Sequence, residues 1–353
     1  MTGRATDNMR EEATTGAIKA HVSAAKGFME PFPLLRLPPY EAVQAFCELL
    51  KEELDYRSAH CLDAQDLRRY YRNLFLTDGT LSPLGVHGYA SRLAPALLSL
   101  REAGPNVRLL DAGCGYGTEA LLFALSGAEV TGVELVPERA ALARSRLSFY
   151  QSHTSASFSI QFVNADVMRY LEGTGSFDII WAMESISHIH PLEAFLSLAH
   201  KSLSPGGLLI TSDPNALNPI ARYRACRIRG APRYTLRMKA RDPGSGTPVY
   251  EAVERILSAL DYARRLSETG FKVTQVAMSG FLAASFVPRS LHRSKLVFSL
   301  LTSLQRILQA LPILRLMGTV YTVVAQKGYG SVGGQYGEPP GKETDRKHEN
   351  LDP

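Results

Sequence analysis

Apolar positions along the chain fall into three regimes. Between residues 40 and 101 they recur every three or four positions, the spacing of helices that bury one face. "YEAVQAFCELLKEEL" (40–54) follows a proline-rich entry, and "DAQDLRRYYRNLF" (63–75) opens on an acid placed to cap a helix start. A turn-rich link, "TDGTLSPLGVHG", leads to a third predicted helix, from Tyr89 to Arg101. From Val107 the rhythm changes to short apolar runs alternating with helix-like ones. "VRLLDA", "AEVTGVEL", "SIQFVNAD", "FDIIWAM" and "GGLLITSD" read as strands, separated by helices over 118–126, 137–150, 167–171 and 191–203. Five strands with helical crossovers predict an α/β class and a parallel, doubly wound sheet. Periodicity then stops over 214–250, an irregular insert. A helix over 251–269 and two strands, 271–278 and 318–328, follow, with an apolar helix-like stretch over 290–311 between the strands.

Composition fits a globular chain: 353 residues, 45% hydrophobic and 21% charged, enough to bury a full core. Residues 1–30 have no apolar signal core and read as a disordered leader; the Gly-, Pro- and charge-rich stretch 328–353 reads as a disordered tail. Between them, 31–85 reads as a helical cap or lid and 86–327 as one α/β domain. A net charge of +5 is too small to imply a polyanion, so nucleic acid is not an expected partner. Cys47, Cys61, Cys114 and Cys226 are scattered, without metal-ligand spacing. They read as reduced thiols of a cytoplasmic protein, and no metal is expected.

The stretch "LLDAGCGYGTEALLFA" places Gly113, Gly115 and Gly117 between the first strand and its helix, where a nucleotide can approach the backbone. A dinucleotide fingerprint would put Gly or Ala three residues after the second glycine; Thr118 stands there. Asp111 and Glu119 flank the turn, and each would oppose a pyrophosphate by about 1 kcal/mol even when solvated. A cofactor without phosphate and with positive charge, S-adenosylmethionine, suits that setting. Glu134 ends the second strand, placed for ribose hydroxyls. Asp166 ends the third, placed for an adenine amino group with Val167 against the ring. Taken singly, each acid could equally be a solvated cap.

Together "LLDAGCGYG", "VTGVELVPERAALAR", "VNADV", "FDIIWAMESISHI" and "HKSLSPGGLLITSDPN" make residues 107–213 resemble a class I S-adenosylmethionine-dependent methyltransferase of the small-molecule or lipid type. The resemblance, which covers about half the chain, implies a Rossmann-like, doubly wound seven-stranded sheet with an antiparallel last strand. It implies cofactor contacts from Asp111, Gly113, Cys114, Gly115, Tyr116, Gly117, Glu134, Leu135, Asp166, Val167 and Met183. Tyr116 lines the methionine pocket or merely packs. The fourth strand would deliver Glu184, Ser185, His188 and His190 to the acceptor, with His188 and Glu184 as catalytic candidates. A general base is required only if the acceptor must lose a proton. The alternative for His188 is a helix cap near Pro191 or a core histidine. The signature of nucleic-acid amino-methylating enzymes is missing, so the expected acceptor is small and either lipophilic or anionic.

Two added segments bear on the partner. "PIARYRACRIRGAPRYTLRMKAR" is basic and acid-free, either a solvated loop or a surface for anionic groups. In the insert 282–317, Val297, Leu300, Leu301, Leu304, Ile307, Leu308 and Leu311 recur at helical spacing, with Thr302, Arg306 and Gln309 opposite. That face either lies in an anionic membrane interface or packs on the sheet or over the pocket. Tyr70 or Tyr71 of the cap could reach the acceptor. Two rivals stand beside the leading expectation: an enzyme methylating a glycan or lipid-linked sugar, and a membrane-associated cofactor-binding protein without turnover.

Overall fold

The computed structural model describes residues 34–154, 158–230, 235–281, 287–288, 291–292, 294–312 and 314–328. The leader and, apart from Gly328, the tail expected from sequence lie outside these residues. Helix α1 (Pro39–Ala59) and α2 (Gln65–Leu74) form as the apolar spacing predicts. Asp63 lies just before the α2 N-cap and accepts the Gln65 N–H at 3.0 Å. The turn-rich link is more ordered than expected. It holds a short hairpin, β1 (Leu76–Thr77) with β2 (Thr80–Leu81), and α3 (Pro83–Ala103) starts earlier than Tyr89. Ser82 caps α3 by accepting the Gly85 N–H, and proline occupies its first turn. The division expected between residues 85 and 86 therefore falls inside a helix.

The alternating region folds as expected: β3 (Arg108–Ala112), α4 (Thr118–Leu125), β4 (Glu129–Glu134), α5 (Pro137–His153), β5 (Ile160–Asn164), α6 (Val167–Gly173), β6 (Phe177–Met183), α7 (Leu192–Ser202) and β7 (Leu203–Pro214). The insert 214–250 is not irregular. It contains α8 (Pro219–Arg229) and the hairpin β8 (Leu236–Arg241)–β9 (Pro248–Ala252). The helix expected from residue 251 begins later, as α9 (Ala259–Glu268), because Ser258 caps Asp261 and Glu251 is already committed to β9. β10 (Phe271–Ser279), α10 (Lys295–Ala310) and β11 (Val320–Lys327) complete the chain.

The sheet order is β10-β11-β7-β6-β3-β4-β5. β3 to β7 pair in parallel, and β11 enters antiparallel between β7 and β10. Successive residues of β6 feed opposite layers: Ile179 and Trp181 join the core under α1–α5, whereas Ile180 and Ala182 join the core under α6, α7 and α9. A strand buried on both faces explains why "FDIIWAM" shows no polar alternation.

One ion pair ties the cap to the sheet domain. Glu53 of α1 and Arg146 of α5 are both fully buried and meet at 2.7 Å. Tyr71 and Tyr150 also touch the Arg146 guanidinium, at 2.5 and 3.4 Å. Nη1 of Arg146 donates to the Tyr116 carbonyl at 2.7 Å and to Thr118 Oγ1 at 2.9 Å, so the cap braces the glycine turn.

Candidate active site

The carboxyl ends of β3, β4, β5 and β6 open on a cavity of about 620 Å³, within the usual size range of ligand pockets. The glycine turn forms its floor. Gly113, Gly115 and Gly117 have φ of +79°, +55° and +75°, a region that side chains disfavour. Their surroundings differ. A Cβ on Gly113 would lie 2.7 Å from Ser185 Oγ, which packs the turn against the loop after β6. A Cβ on Gly115 would meet nothing within 4 Å, leaving space for a ligand over the backbone. Gly117 does not line the cavity; a Cβ there would sit 2.5 Å from the Phe162 ring. Its lack of a side chain serves close packing against Phe162.

The expected acidic rim is also redistributed. Asp111 is 2% exposed and off the cavity, and burial pushes its carboxyl well up. It lies beneath the turn and is no rim residue. Glu119 does reach the cavity, through hydrogen bonds from Tyr89 (2.6 Å) and Tyr70 (3.2 Å), with its pKa raised by burial. Glu134 spans the turn: one carboxylate oxygen accepts the Gly115 N–H at 2.9 Å, the other the Val136 N–H at 2.8 Å. Asp166 caps α6 by accepting the Met168 N–H at 3.0 Å, so cap and cavity-wall roles fall on one side chain. Cys114, Tyr116, Leu135, Val167 and Met183 line the same wall. Tyr116 takes Arg139 over its ring at 5.7 Å and the Tyr70 ring at 5.8 Å. Tyr70 faces the cavity, while Tyr71 is buried on Arg146 and takes no part.

Glu184 sits at φ +54°, held there by its N–H donating to the Ser212 carbonyl at 2.8 Å. Its carboxylate meets Arg92 Nη1 at 2.7 Å, and that guanidinium holds its pKa below the ordinary range. A carboxylate so held is a poor proton acceptor and a good fixed negative charge. Sequence reading passed over Arg92. The signal was an arginine on the buried face of α3, in step with Tyr89, Ala96 and Ser99.

His188 is neither a helix cap nor a core residue. Its Nδ1 lies 3.2 Å from the Ala252 carbonyl of β9, an acceptor only, so Nδ1 carries a proton toward it and Nε2 is the nitrogen left for proton exchange. Glu254 Oε1 lies 3.8 Å from Nε2 and Glu251 Oε2 lies 4.0 Å from Nδ1. Glu254, itself at φ +46°, and Glu251 were not found from sequence, because nothing in the spacing of "YEAVERIL" marks them. Arg237 and Lys239 of the basic insert do reach the cavity, but both are paired with Glu251, at 2.5 and 2.9 Å. Burial would raise the Glu251 pKa; Lys239 and Arg237 outweigh it and hold it low. These two cations therefore present no unpaired anion site.

Below this loop, Asp213 accepts the Ser187 N–H at 3.0 Å, and its other oxygen has no partner among the described residues. Burial pushes its pKa up to about 7. A raised carboxyl stabilises the fold in its protonated form, so this contribution is present at low pH and is lost as pH rises from about 4 through about 7. Asp213→Asn is expected to flatten that slope in pH-dependent denaturant unfolding. At about pH 8 it should gain about 2 kcal/mol, less than the full linkage because the new amide brings unpaired donors.

A family model described as a methyltransferase domain matches residues 86–276. A ubiquinone biosynthesis O-methyltransferase of Xanthomonas campestris is 35% identical over 118 residues, 33% of this chain and 47% of that protein. One of the same description from Bradyrhizobium is 33% identical over 131 residues, 37% of this chain and 47% of that protein. The chain spans about half the length of these curated relatives. Among solved structures, the magnesium protoporphyrin IX methyltransferase of Synechocystis with bound SAH aligns with TM-score 0.45 and 15% identity, over 78% of this chain and 97% of that one. A Methanosarcina mazei SAM-dependent methyltransferase aligns with TM-score 0.43 and 16% identity, over 64% and 95%.

Proposed function

The chain belongs to the methyltransferase-domain family, and from that premise we propose that it transfers a methyl group from S-adenosylmethionine to a hydroxyl of a small, lipophilic acceptor. The observation that carries the hydroxyl is the His188 imidazole on the cavity wall, its Nδ1 engaged by the Ala252 carbonyl and its Nε2 left for proton exchange. The curated relatives named as O-methyltransferases support the same choice of atom.

The residues present fit the cofactor. Space over Gly115 admits it against the backbone, and Glu134, Asp166, Glu119 and Glu184 give the wall a negative character that suits a sulfonium and an ammonium. Glu134 would hold the ribose hydroxyls, Asp166 and Val167 the adenine, and the Met183 backbone the methionine end. When bound, the cofactor supplies an activated methyl group. The chain's own work is then to align the acceptor, exclude water and remove one proton. His188 Nε2 takes that proton from the acceptor hydroxyl. The resulting imidazolium stands between Glu254 and Glu251, which stabilise its charge. No helix of the described residues is long and apolar enough to cross a membrane.

Two measurements test this reading. Labelled cofactor incubated with an extract should yield a methylated product in the organic phase that survives alkali, as an ether does. Label confined to the aqueous phase would point to a glycan acceptor instead. In calorimetry, S-adenosylhomocysteine should bind and Glu134→Ala should weaken it at least about tenfold, the loss of a charge-assisted hydrogen-bond pair. Unchanged affinity in the variant, or tighter binding of NAD, overturns the cofactor assignment.

A further inference from the structure

Helix α10 carries apolar residues on two sides, and only one side has a partner among the described residues. Val297, Phe298, Leu301 and Leu308 are half-buried toward the body. Phe298 there stands edge-on to His87 of α3 at 5.6 Å, and Gln309 donates to the Met278 carbonyl of β10 at 3.4 Å. On the other side, Leu296, Leu300, Leu304, Ile307 and Leu311 are 79, 64, 39, 59 and 45% exposed. At helical spacing these five fall within an arc of roughly 80°, one continuous stripe along the helix. Scattered apolar residues are ordinary on a surface, but a stripe of this kind marks an interaction face. The amphipathic pattern in the sequence thus divides: part of it packs on the fold, as one expectation had it, and part faces outward.

Charge identifies the occupant. Lys295 and Arg306 lie on one flank of the stripe and Arg315 just beyond the helix, while the sequence from Val287 to Lys327 contains no Asp or Glu. A basic border beside an apolar stripe matches a surface with anionic headgroups above an apolar layer. Topology adds the orientation. Ser279 ends β10 opposite Val320 of β11, and Val320 pairs with Pro214 at the carboxyl end of β7. α10 therefore follows from the carboxyl edge of the sheet, the edge on which the cavity opens.

We propose that α10 is an interfacial anchor that lays its Leu296-to-Leu311 stripe into the headgroup boundary of an anionic bilayer, bringing the cavity's edge of the sheet to the membrane. Its purpose rests on the lipophilic acceptor proposed above; its test needs no acceptor. The full chain is co-sedimented with vesicles of phosphatidylcholine alone or mixed with phosphatidylglycerol. The mixed vesicles should pellet the protein, salt should weaken the binding, and Leu300→Ser with Ile307→Ser should weaken it roughly tenfold or more. Both substitutions are on exposed positions, and S-adenosylhomocysteine binding by calorimetry should match the parent, which separates lost docking from lost folding. Equal pelleting of variant and parent, or no pelleting of the parent by anionic vesicles, overturns the proposal. A parent dimer in sedimentation velocity that the double variant turns into a monomer also overturns it, since the stripe would then face a second copy. Vesicle binding without any methylated product would sink the acceptor assignment and leave the anchor standing.

Discussion

A His188→Ala enzyme is expected to bind S-adenosylhomocysteine as the parent does and to turn over about 100- to 1000-fold more slowly. Affinity should hold because His188 contacts the hairpin β8–β9 and the loop after β6, whereas the residues assigned to the cofactor belong to the glycine turn and β4–β6. Turnover should fall because the proposed acceptor hydroxyl loses the imidazole set on the cavity wall to take its proton. Glu254→Gln is the informative companion. It keeps the shape but removes the charge 3.8 Å from Nε2, so kcat should fall less than in His188→Ala while KM for the acceptor stays put. Steady-state kinetics with the identified acceptor make the measurement. A change below about threefold in His188→Ala would mean the acceptor needs no base, as a neutral amine would not.

The second large effect is structural. Glu53→Ala should cost about 3–5 kcal/mol in denaturant unfolding, because it leaves the Arg146 guanidinium fully buried without its counter-charge. Tyr71 and Tyr150 still offer oxygens to Arg146, but neutral partners offset little of a buried charge. Replacing both members, Glu53→Met with Arg146→Met, should recover most of the loss, since removing a buried pair together costs far less than breaking it. The recovered double variant should nonetheless bind cofactor more weakly. The Tyr116 carbonyl and Thr118 hydroxyl would lose the donor that fixes the glycine turn.

Much of this fold was legible because its signals are local. Strand-and-helix alternation over 107–214 depends on residues within a few positions of each other, and so do the glycine turn and the acid at the start of α2. The caps at Ser82 and Ser258, equally local, were passed over, which misplaced the starts of α3 and α9. The hairpin β8–β9 was missed although Leu236, Met238 and Ala240 alternate with Arg237, Lys239 and Arg241, because the basic run was read for its charge and β8 buries none of its residues. In the site, Glu134 and Asp166 were picked out by standing at or just after strand ends, and His188 by the polar stretch that follows β6. Arg92, Glu251 and Glu254 were not, since their roles come from contacts 92, 63 and 66 residues away along the chain. The same limit explains Asp111 and Glu119. Sequence showed two acids beside the turn, but only the fold could show that one is buried under it while two tyrosines turn the other toward the cavity.

The position of β11 has a consequence for how the chain is assembled. β10 pairs with β11 alone, and β11 fills the gap between β10 and β7. During synthesis β10 therefore leaves the ribosome before the neighbour that will hold it, and the rim of β7 stays open until residues 320–327 have followed. These are non-local pairings, the slow kind, and an unpaired strand rim invites adventitious partners while it waits. The parallel half of the sheet can close around the cofactor turn first. Closure by the late strand is then expected to be the slow phase of refolding, and cofactor added early should leave its rate unchanged.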